Sequence, residues 1–230
     1  VLDDGCSATL GCVGTDDVLF GAVYAGVITG RAEEIEFFST RPAHESATRD
    51  AVTIGGSLPN AYTGPTILRA ARGGKVVADK DGAFGLSDRI TVCEHTDLYL
   101  NAYDTIDDSA RLCLYTDGAD PARVVLADGA CETVGQLYFW DAVASAYVGQ
   151  EAGTWGSSAS AADHRSDLWF SGTGMLNVTA SGSGPALQAG DVDGSGTVDA
   201  EDYILLKRNI GLAAGADRGD GDLDDDGDVD

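Results

Sequence analysis

The sequence predicts a mainly β fold, an antiparallel β-sandwich or jelly roll in residues 1–180, followed by a small α-helical module in residues 191–230. Short apolar or alternating runs recur between turn signals through residues 1–180, where no long segment has the 3.6-residue period of a helix. Residues 181–190 are rich in Gly, Ser and Ala and are predicted to form a linker. Beyond it, the last 40 residues hold 13 acidic and 3 basic residues, a net charge of −10.

Each strand prediction rests on alternation or on β-branched content between Gly-Gly, Asp-Gly or Gly-Ser turns. The first predicted strand, residues 18–29, carries no charged side chain. It is either a core strand or a strand that adds to the sheet of a neighbouring molecule. The other predicted strands are residues 35–38, 66–71, 90–93, 98–103, 111–115, 122–126, 136–140, 168–170 and 176–179.

The five cysteines form no CxxC pair, which argues against a zinc site or a thioredoxin-like redox motif. Cys93 and Cys113 lie in predicted strands, so a disulfide between neighbouring strands is expected. Cys6 and Cys12 are close enough in sequence to close a short loop, and the alternative is that all five thiols are reduced. Asn177 begins the only N-glycosylation triplet and is the candidate glycosylation site.

The formal net charge of the whole chain is −24, from 38 acidic and 14 basic residues. A polyanion is repelled by nucleic acid and by anionic lipid, so neither is expected as a partner. No run of about 18 apolar residues occurs in the sequence, so no membrane-spanning helix is predicted.

The acidic C-terminal segment begins with the spacing of a 12-residue EF-hand loop, residues 191–202. Gly196 stands at position 6, where the chain must turn sharply, and oxygen-bearing residues stand at positions 1, 3, 5, 7, 9 and 12. This spacing wraps six oxygen donors around one point, as Ca²⁺ requires. The candidate calcium ligands are Asp191, Asp193, Ser195, Thr197 (through its carbonyl), Asp199 and Asp202.

A helix is predicted directly after this loop, over residues 203–210, and Gly211 is expected to end it. The loop pattern then returns 31 residues after its first occurrence, at positions 1 to 9. Position 12 and a second helix are not reached, because Asp230 is the last residue of the sequence. The candidate ligands of this second loop are Asp222, Asp224, Asp226, Asp228 and Asp230.

This duplicated loop and helix, with Asp at position 12 and Lys207-Arg208 late in the helix, resembles a type I-like dockerin module. The resemblance covers about 40 residues, and residues 1–180 resemble no family. Asp193 and Ser195 depart from the usual Asn and Asp at positions 3 and 5, and the second repeat is incomplete. By resemblance, the module binds calcium and docks to a protein partner, a cohesin or a neighbouring subunit, through Ala200, Glu201, Lys207 and Arg208.

The resemblance also implies a secreted protein, extracellular or at the cell surface. In an intact dockerin the second helix covers the apolar face of the first, which here includes Tyr203, Leu206 and Ile210. We therefore expect that face to pack on the body of the protein, on another subunit, or on residues outside this sequence.

No HExxH, Walker A, GxSxG or Rossmann pattern occurs, so no catalytic residue is assigned and enzyme activity is uncertain but not favoured.

The favoured function is an extracellular, non-catalytic structural protein, a surface or filament subunit that assembles as a homo-oligomer. The alternative is a secreted carbohydrate-binding or carbohydrate-active module that docks to a cohesin scaffold, and a free-standing hydrolase is the third reading. The aromatic segments at Trp140, Trp155 and Trp169 are either a sugar-stacking platform or core residues.

Overall fold

The computed structural model describes residues 7–13, 22–40, 51–70, 74–116, 118, 120–143, 146–182, 200–212 and 229. These residues form nineteen strands and one helix. Their bounds are β1 Ser7–Val13, β2 Ala22–Tyr24, β3 Thr29–Arg31, β4 Glu34–Thr40, β5 Ala51–Ile54, β6 Ala61–Thr63, β7 Thr66–Ala70, β8 Gly74–Ala78, β9 Arg89–Val92, β10 Thr96–Leu100, β11 Arg111–Leu114, β12 Arg123–Leu126, β13 Cys131–Val134, β14 Gln136–Asp141, β15 Ala146–Gly149, β16 Gly153–Gly156, β17 His164–Arg165, β18 Phe170–Gly172, β19 Met175–Val178 and α1 Ala200–Asn209.

The strands wind into a parallel β-solenoid, in which the chain visits the same sheets again with each turn. Sheet 1 has the order β1-β4-β7-β9-β11-β14-β15, and sheet 2 has the order β18-β12-β10-β8-β5-β2. A third side carries the pair β3-β6 and the sheet β13-β19-β16-β17. From β1 to β14, the strands of sheets 1 and 2 therefore pair with strands one turn earlier or later, and the hydrogen bonds between turns run along the solenoid axis.

In-register pairing stacks the core side chains into ladders. On sheet 1, Ile90 lies opposite Thr66 and Leu112, and the ladder continues to Ile35 and Leu137. All five side chains are fully buried. The hydroxyl of Thr66 remains satisfied by hydrogen bonds to Tyr62 and Ser87. Each large aliphatic rung contributes about 1.5–3 kcal/mol through burial, so the stacked ladders supply the main stabilisation of the body.

Sheet 2 contributes the facing ladder to the same core. It runs through Val52, Val76, Leu98, Val124 and Phe170, all of which are at most 1% exposed. Strands of both sheets alternate buried and more exposed positions, so one face of each sheet lines the interior.

One corner of the solenoid requires glycine. Gly64 joins β6 to β7 with a φ of +109°, and a Cβ at this position would collide with the carbonyl oxygen of Ala32 in the preceding turn. The turns therefore approach each other more closely here than any side chain allows.

Residues after β14 close the C-terminal end of the core. β15 folds back antiparallel on β14, and β16 pairs antiparallel with β19. The ring of Phe139 stacks on Trp169 with centroids 4.9 Å apart, and its edge meets Trp155 at 5.4 Å. Trp155 and Trp169 are only 9% and 5% exposed, so these aromatics cap the core, as the core reading of the aromatic segments predicted.

The mainly β prediction is confirmed, but the strand direction differs from the expected antiparallel sandwich or jelly roll. Thirteen of the fifteen strand pairs among the described residues are parallel. The physical reason is that alternation marks one buried face and carries no information about the direction of the neighbouring strand. The predicted strand at residues 18–29 is also divided, since β2 and β3 are separate short strands on different sides of the solenoid.

The expected disulfide between Cys93 and Cys113 is wrong, because both are buried free thiols. Cys113 stands opposite Thr91, so Cys93 lies two residues further along the neighbouring strand. Strand spacing and rise per residue place such diagonal Cα atoms about 8 Å apart, whereas disulfides need about 4.4–6.8 Å. Burial raises the pKa of each thiol to about 11, which keeps both protonated and unreactive at neutral pH.

Candidate docking and calcium-binding module

The helix predicted after the first calcium loop is present as α1, Ala200–Asn209, which starts three residues earlier than expected. Gly211 has a φ of +91°, the left-handed conformation that ends helices, as predicted. Lys207 and Arg208 lie in the last turn, where cations interact favourably with the negative end of the helix dipole. Local signals therefore account for this element well.

The helix presents large apolar side chains to solvent within the described structure. Tyr203, Ile204 and Ile210 are 60%, 61% and 59% exposed. The ammonium of Lys207 lies 5.8 Å from the centre of the Tyr203 ring, and Ala200 and Arg208 are also exposed. An apolar patch with a basic border on one short helix is suited to a partner surface.

The second repeat contacts the end of this helix through Val229, which is 2% exposed. The amide of Val229 donates to the carbonyl oxygen of Leu212 at 3.0 Å, and its carbonyl accepts from the amide of Gly211 at 2.7 Å. These bonds satisfy the amide of Gly211 and the carbonyl of Leu212 just beyond the helix, where the backbone no longer makes intrahelical hydrogen bonds. The two repeats are thus joined at the C-terminal end of α1.

Most predicted calcium ligands lie outside the described residues. For Asp202 the structure gives the backbone, in the first turn of α1, and the same holds for the predicted partner residue Glu201. Within the residues that the structure describes, no group of three or more His, Cys, Asp or Glu side chains is placed to hold a metal. The donor chemistry suits Ca²⁺, since carboxylate, hydroxyl and carbonyl oxygens are its preferred ligands. Outside the description are Asp191, Asp193, Ser195, Thr197, Asp199, Asp222, Asp224, Asp226, Asp228 and Asp230.

The remaining predicted sites lie in the body or outside the described part. Asn177 is half-buried in β19, a central strand, with Thr133 and Thr154 as its neighbours on β13 and β16. Cys12 lies in β1, opposite Ser39, whereas Cys6 is outside the described residues. Among the described helices, none is long and apolar enough to cross a membrane.

Sequence reasoning missed a cleft of about 710 Å³ on the body. Its walls come from three successive turns of the solenoid, and Leu86, 57% exposed, is its largest apolar residue. No signal in the sequence links these segments, because they meet only when the turns stack. The lining residues are Arg31, Ala32, Glu33, Thr63, Gly64, Pro65, Leu86 and Asp88.

Comparisons with protein-family models, with curated proteins and with solved structures find no match to this chain.

Proposed function

We propose that this chain is a secreted structural protein in which a rigid β-solenoid body is connected to its neighbours through a calcium-dependent, dockerin-like tail. The supporting observation is helix α1, where exposed Tyr203, Ile204 and Ile210 lie beside the exposed basic pair Lys207 and Arg208. An isolated helix of ten residues is marginal in water and gains its stability from packing. A partner that covers this face would supply that packing.

Calcium acts in this proposal by organising the loop that leads into the helix. The ligands proposed for the first site precede α1 in the sequence, except Asp202, which is in its first turn. Binding neutralises part of the −10 charge of the tail, which otherwise repels acidic partners and other copies of this acidic chain. Partner binding is therefore expected to require calcium.

The N-terminal end of the solenoid offers a second contact. β2 is the outermost strand of sheet 2 among the described residues, and Val23 within it is 68% exposed. An edge strand with an exposed apolar side chain can pair with a strand from another molecule. This supports end-to-end assembly and the strand-addition reading of residues 18–29.

The test is the assembly state of the full chain with calcium and with a chelator, measured by light scattering and electron microscopy. We expect polymers that grow with concentration in calcium and disperse in chelator. Asp191→Ala and Asp202→Ala should abolish both the heat of calcium binding and the polymers, whereas Glu33→Ala on the body should leave both intact.

A protein that remains monomeric at all concentrations would contradict the assembly proposal. If that monomer captures a cohesin domain in calcium, the alternative of a module on a cohesin scaffold replaces it. The cleft around Leu86 is then the place to look for a carbohydrate ligand.

A further inference from the structure

A buried lysine at one corner of the solenoid contacts two earlier turns. Lys80 follows β8 and is only 5% exposed. Its Nζ lies 3.1 Å from the carbonyl oxygen of Gly26 and 2.8 Å from Oδ1 of Asn60. Gly26, Asn60 and Lys80 occupy the same corner in three successive turns, after β2, before β6 and after β8.

This lysine makes no ion pair with any described residue. A carboxylate partner would hold the ammonium in its charged form, whereas here burial lowers the pKa of Lys80. The neutral amine, which is the nucleophilic form, is therefore more populated at Lys80 than at an exposed lysine.

The amide of Asn60 is held and polarised next to this amine. Asn60 is 4% exposed, and its Oδ1 accepts a hydrogen bond from the amide of Ile28 at 2.9 Å in addition to the one from Lys80. Its Nδ2 donates to the carbonyl oxygen of Ala83 at 2.6 Å. The donor that remains on Oδ1 during attack, the amide of Ile28, withdraws electron density from Cγ and stabilises the negative charge that develops on the oxygen.

We propose that Lys80 and Asn60 form an intramolecular isopeptide bond that links two turns of the solenoid. The lone pair of the neutral Nζ attacks Cγ of Asn60, and a Cγ–Nζ bond forms. The Cγ–Nδ2 bond breaks, a proton passes from Nζ to Nδ2, and Nδ2 leaves as ammonia. The step is a transamidation that needs no oxidant, reductant or further reactant.

The geometry favours this reaction over its competitors. Fixing amine and amide in contact converts an encounter of two groups into an intramolecular step. Water, which would hydrolyse the amide, has little access to two side chains that are 5% and 4% exposed. The crosslink does not involve the tail, so the test of the crosslink is independent of the proposals on calcium binding and docking.

Mass spectrometry of the full-length protein, denatured and reduced, tests the bond directly. We expect an intact mass lower than that of the sequence by one ammonia. A tryptic digest should contain one branched peptide that joins residues 50–69 to residues 76–89, with no cleavage after Lys80.

Matched lysine variants control for other losses of ammonia. Lys75 is on the neighbouring strand β8, with its ammonium 5.0 Å from the ring centre of Tyr99. Lys75→Arg should keep the lower mass, and Lys80→Arg should restore the full mass. If Lys80→Arg does not fold, the mass and digest of the natural sequence decide alone. The proposal would be overturned if the natural sequence kept the full mass calculated from its residues after prolonged incubation at alkaline pH. Loss of ammonia without the branched peptide would also overturn it.

Discussion

Glu132 is a carboxylate buried inside the third side of the solenoid, 1% exposed. Its oxygens accept hydrogen bonds from the amide and hydroxyl of Thr105 and from the amide of Ile106, at 2.9, 2.6 and 3.2 Å. The carbonyl oxygens of Asp104 and Thr105 accept hydrogen bonds from the amides of Gly82 and Phe84 in the previous turn. On the other side, Glu132 supplies the acceptors for the amides of Thr105 and Ile106. A polar side chain thus completes a hydrogen-bond ladder that the backbone leaves open.

The ionisation of Glu132 should be visible in the pH dependence of the free energy of unfolding. Burial raises the pKa of Glu132 above its ordinary value of 4.5, although the hydrogen bonds from Thr105 and Ile106 act in the opposite direction. The folded state therefore keeps the proton at pH values where the unfolded chain has lost it. This contribution to stability is complete below about pH 4.5 and is lost as the pH rises through the raised pKa.

We predict that Glu132→Gln, which cannot ionise, removes this fall in the free energy of unfolding above pH 4.5. Urea unfolding across a series of pH values measures the slope. Glu33→Gln, on an exposed residue of the first turns, should keep it. An unchanged slope in Glu132→Gln would show that Glu132 is not the group responsible.

At the scale of the element, the corner at Gly64 sets how closely the turns stack. Alanine there must adopt a φ of +109° and place its Cβ against the Ala32 carbonyl. A side chain in the left-handed region costs about 1–2 kcal/mol, and the collision adds to it. We expect Gly64→Ala to lower the free energy of unfolding by more than about 1 kcal/mol, measured by chemical denaturation.

Gly55 provides the control for that substitution. A Cβ at Gly55 meets only the Thr53 methyl group, at an ordinary contact distance of 3.9 Å. Gly55→Ala should therefore be close to neutral. Equal losses in the two variants would contradict the argument from corner geometry.

Elements could be predicted from the sequence where the signal is local. Helix α1 and its termination at Gly211 follow from loop spacing, an apolar run and a glycine, and strands such as β9 and β12 follow from alternation. The solenoid could not be predicted, because its turns differ in length. The rungs Ile35, Thr66, Ile90 and Leu112 are 31, 24 and 22 residues apart, so no fixed period marks the repeat.

The candidate sites also divide into those that a local sequence pattern predicts and those that form only when distant segments meet. The proposed calcium ligands can be named from the sequence alone, because one loop would supply them all at fixed spacing. The contact between Lys80 and Asn60, 20 residues apart, exists only because two turns stack in register. The same holds for the failed pairing of Cys93 with Cys113, where the register places the two thiols on a diagonal.

At the scale of the whole molecule, the proposed calcium site gives the tail a source of stability separate from that of the body. The body is stabilised by stacked apolar ladders and by hydrogen bonds between turns, and all the proposed calcium ligands lie beyond residue 190. A solenoid turn contacts mainly its neighbouring turns, so we expect a change at the tail to have little effect on the ladders. Calcium should therefore stabilise α1 without affecting the body.

Limited trypsin digestion and thermal unfolding of the full chain, each with calcium and with chelator, test this separation. We expect chelator to speed cleavage after Lys207 and Arg208 at least several-fold, because an exposed short helix opens more often when its leading loop is unordered. Cleavage after Arg69 and Lys75 in the body, and the temperature of the main unfolding transition, should stay unchanged. A main transition that shifts to lower temperature in chelator would show that calcium stabilises the solenoid itself, and the connector would then have to be regarded as part of the body's fold.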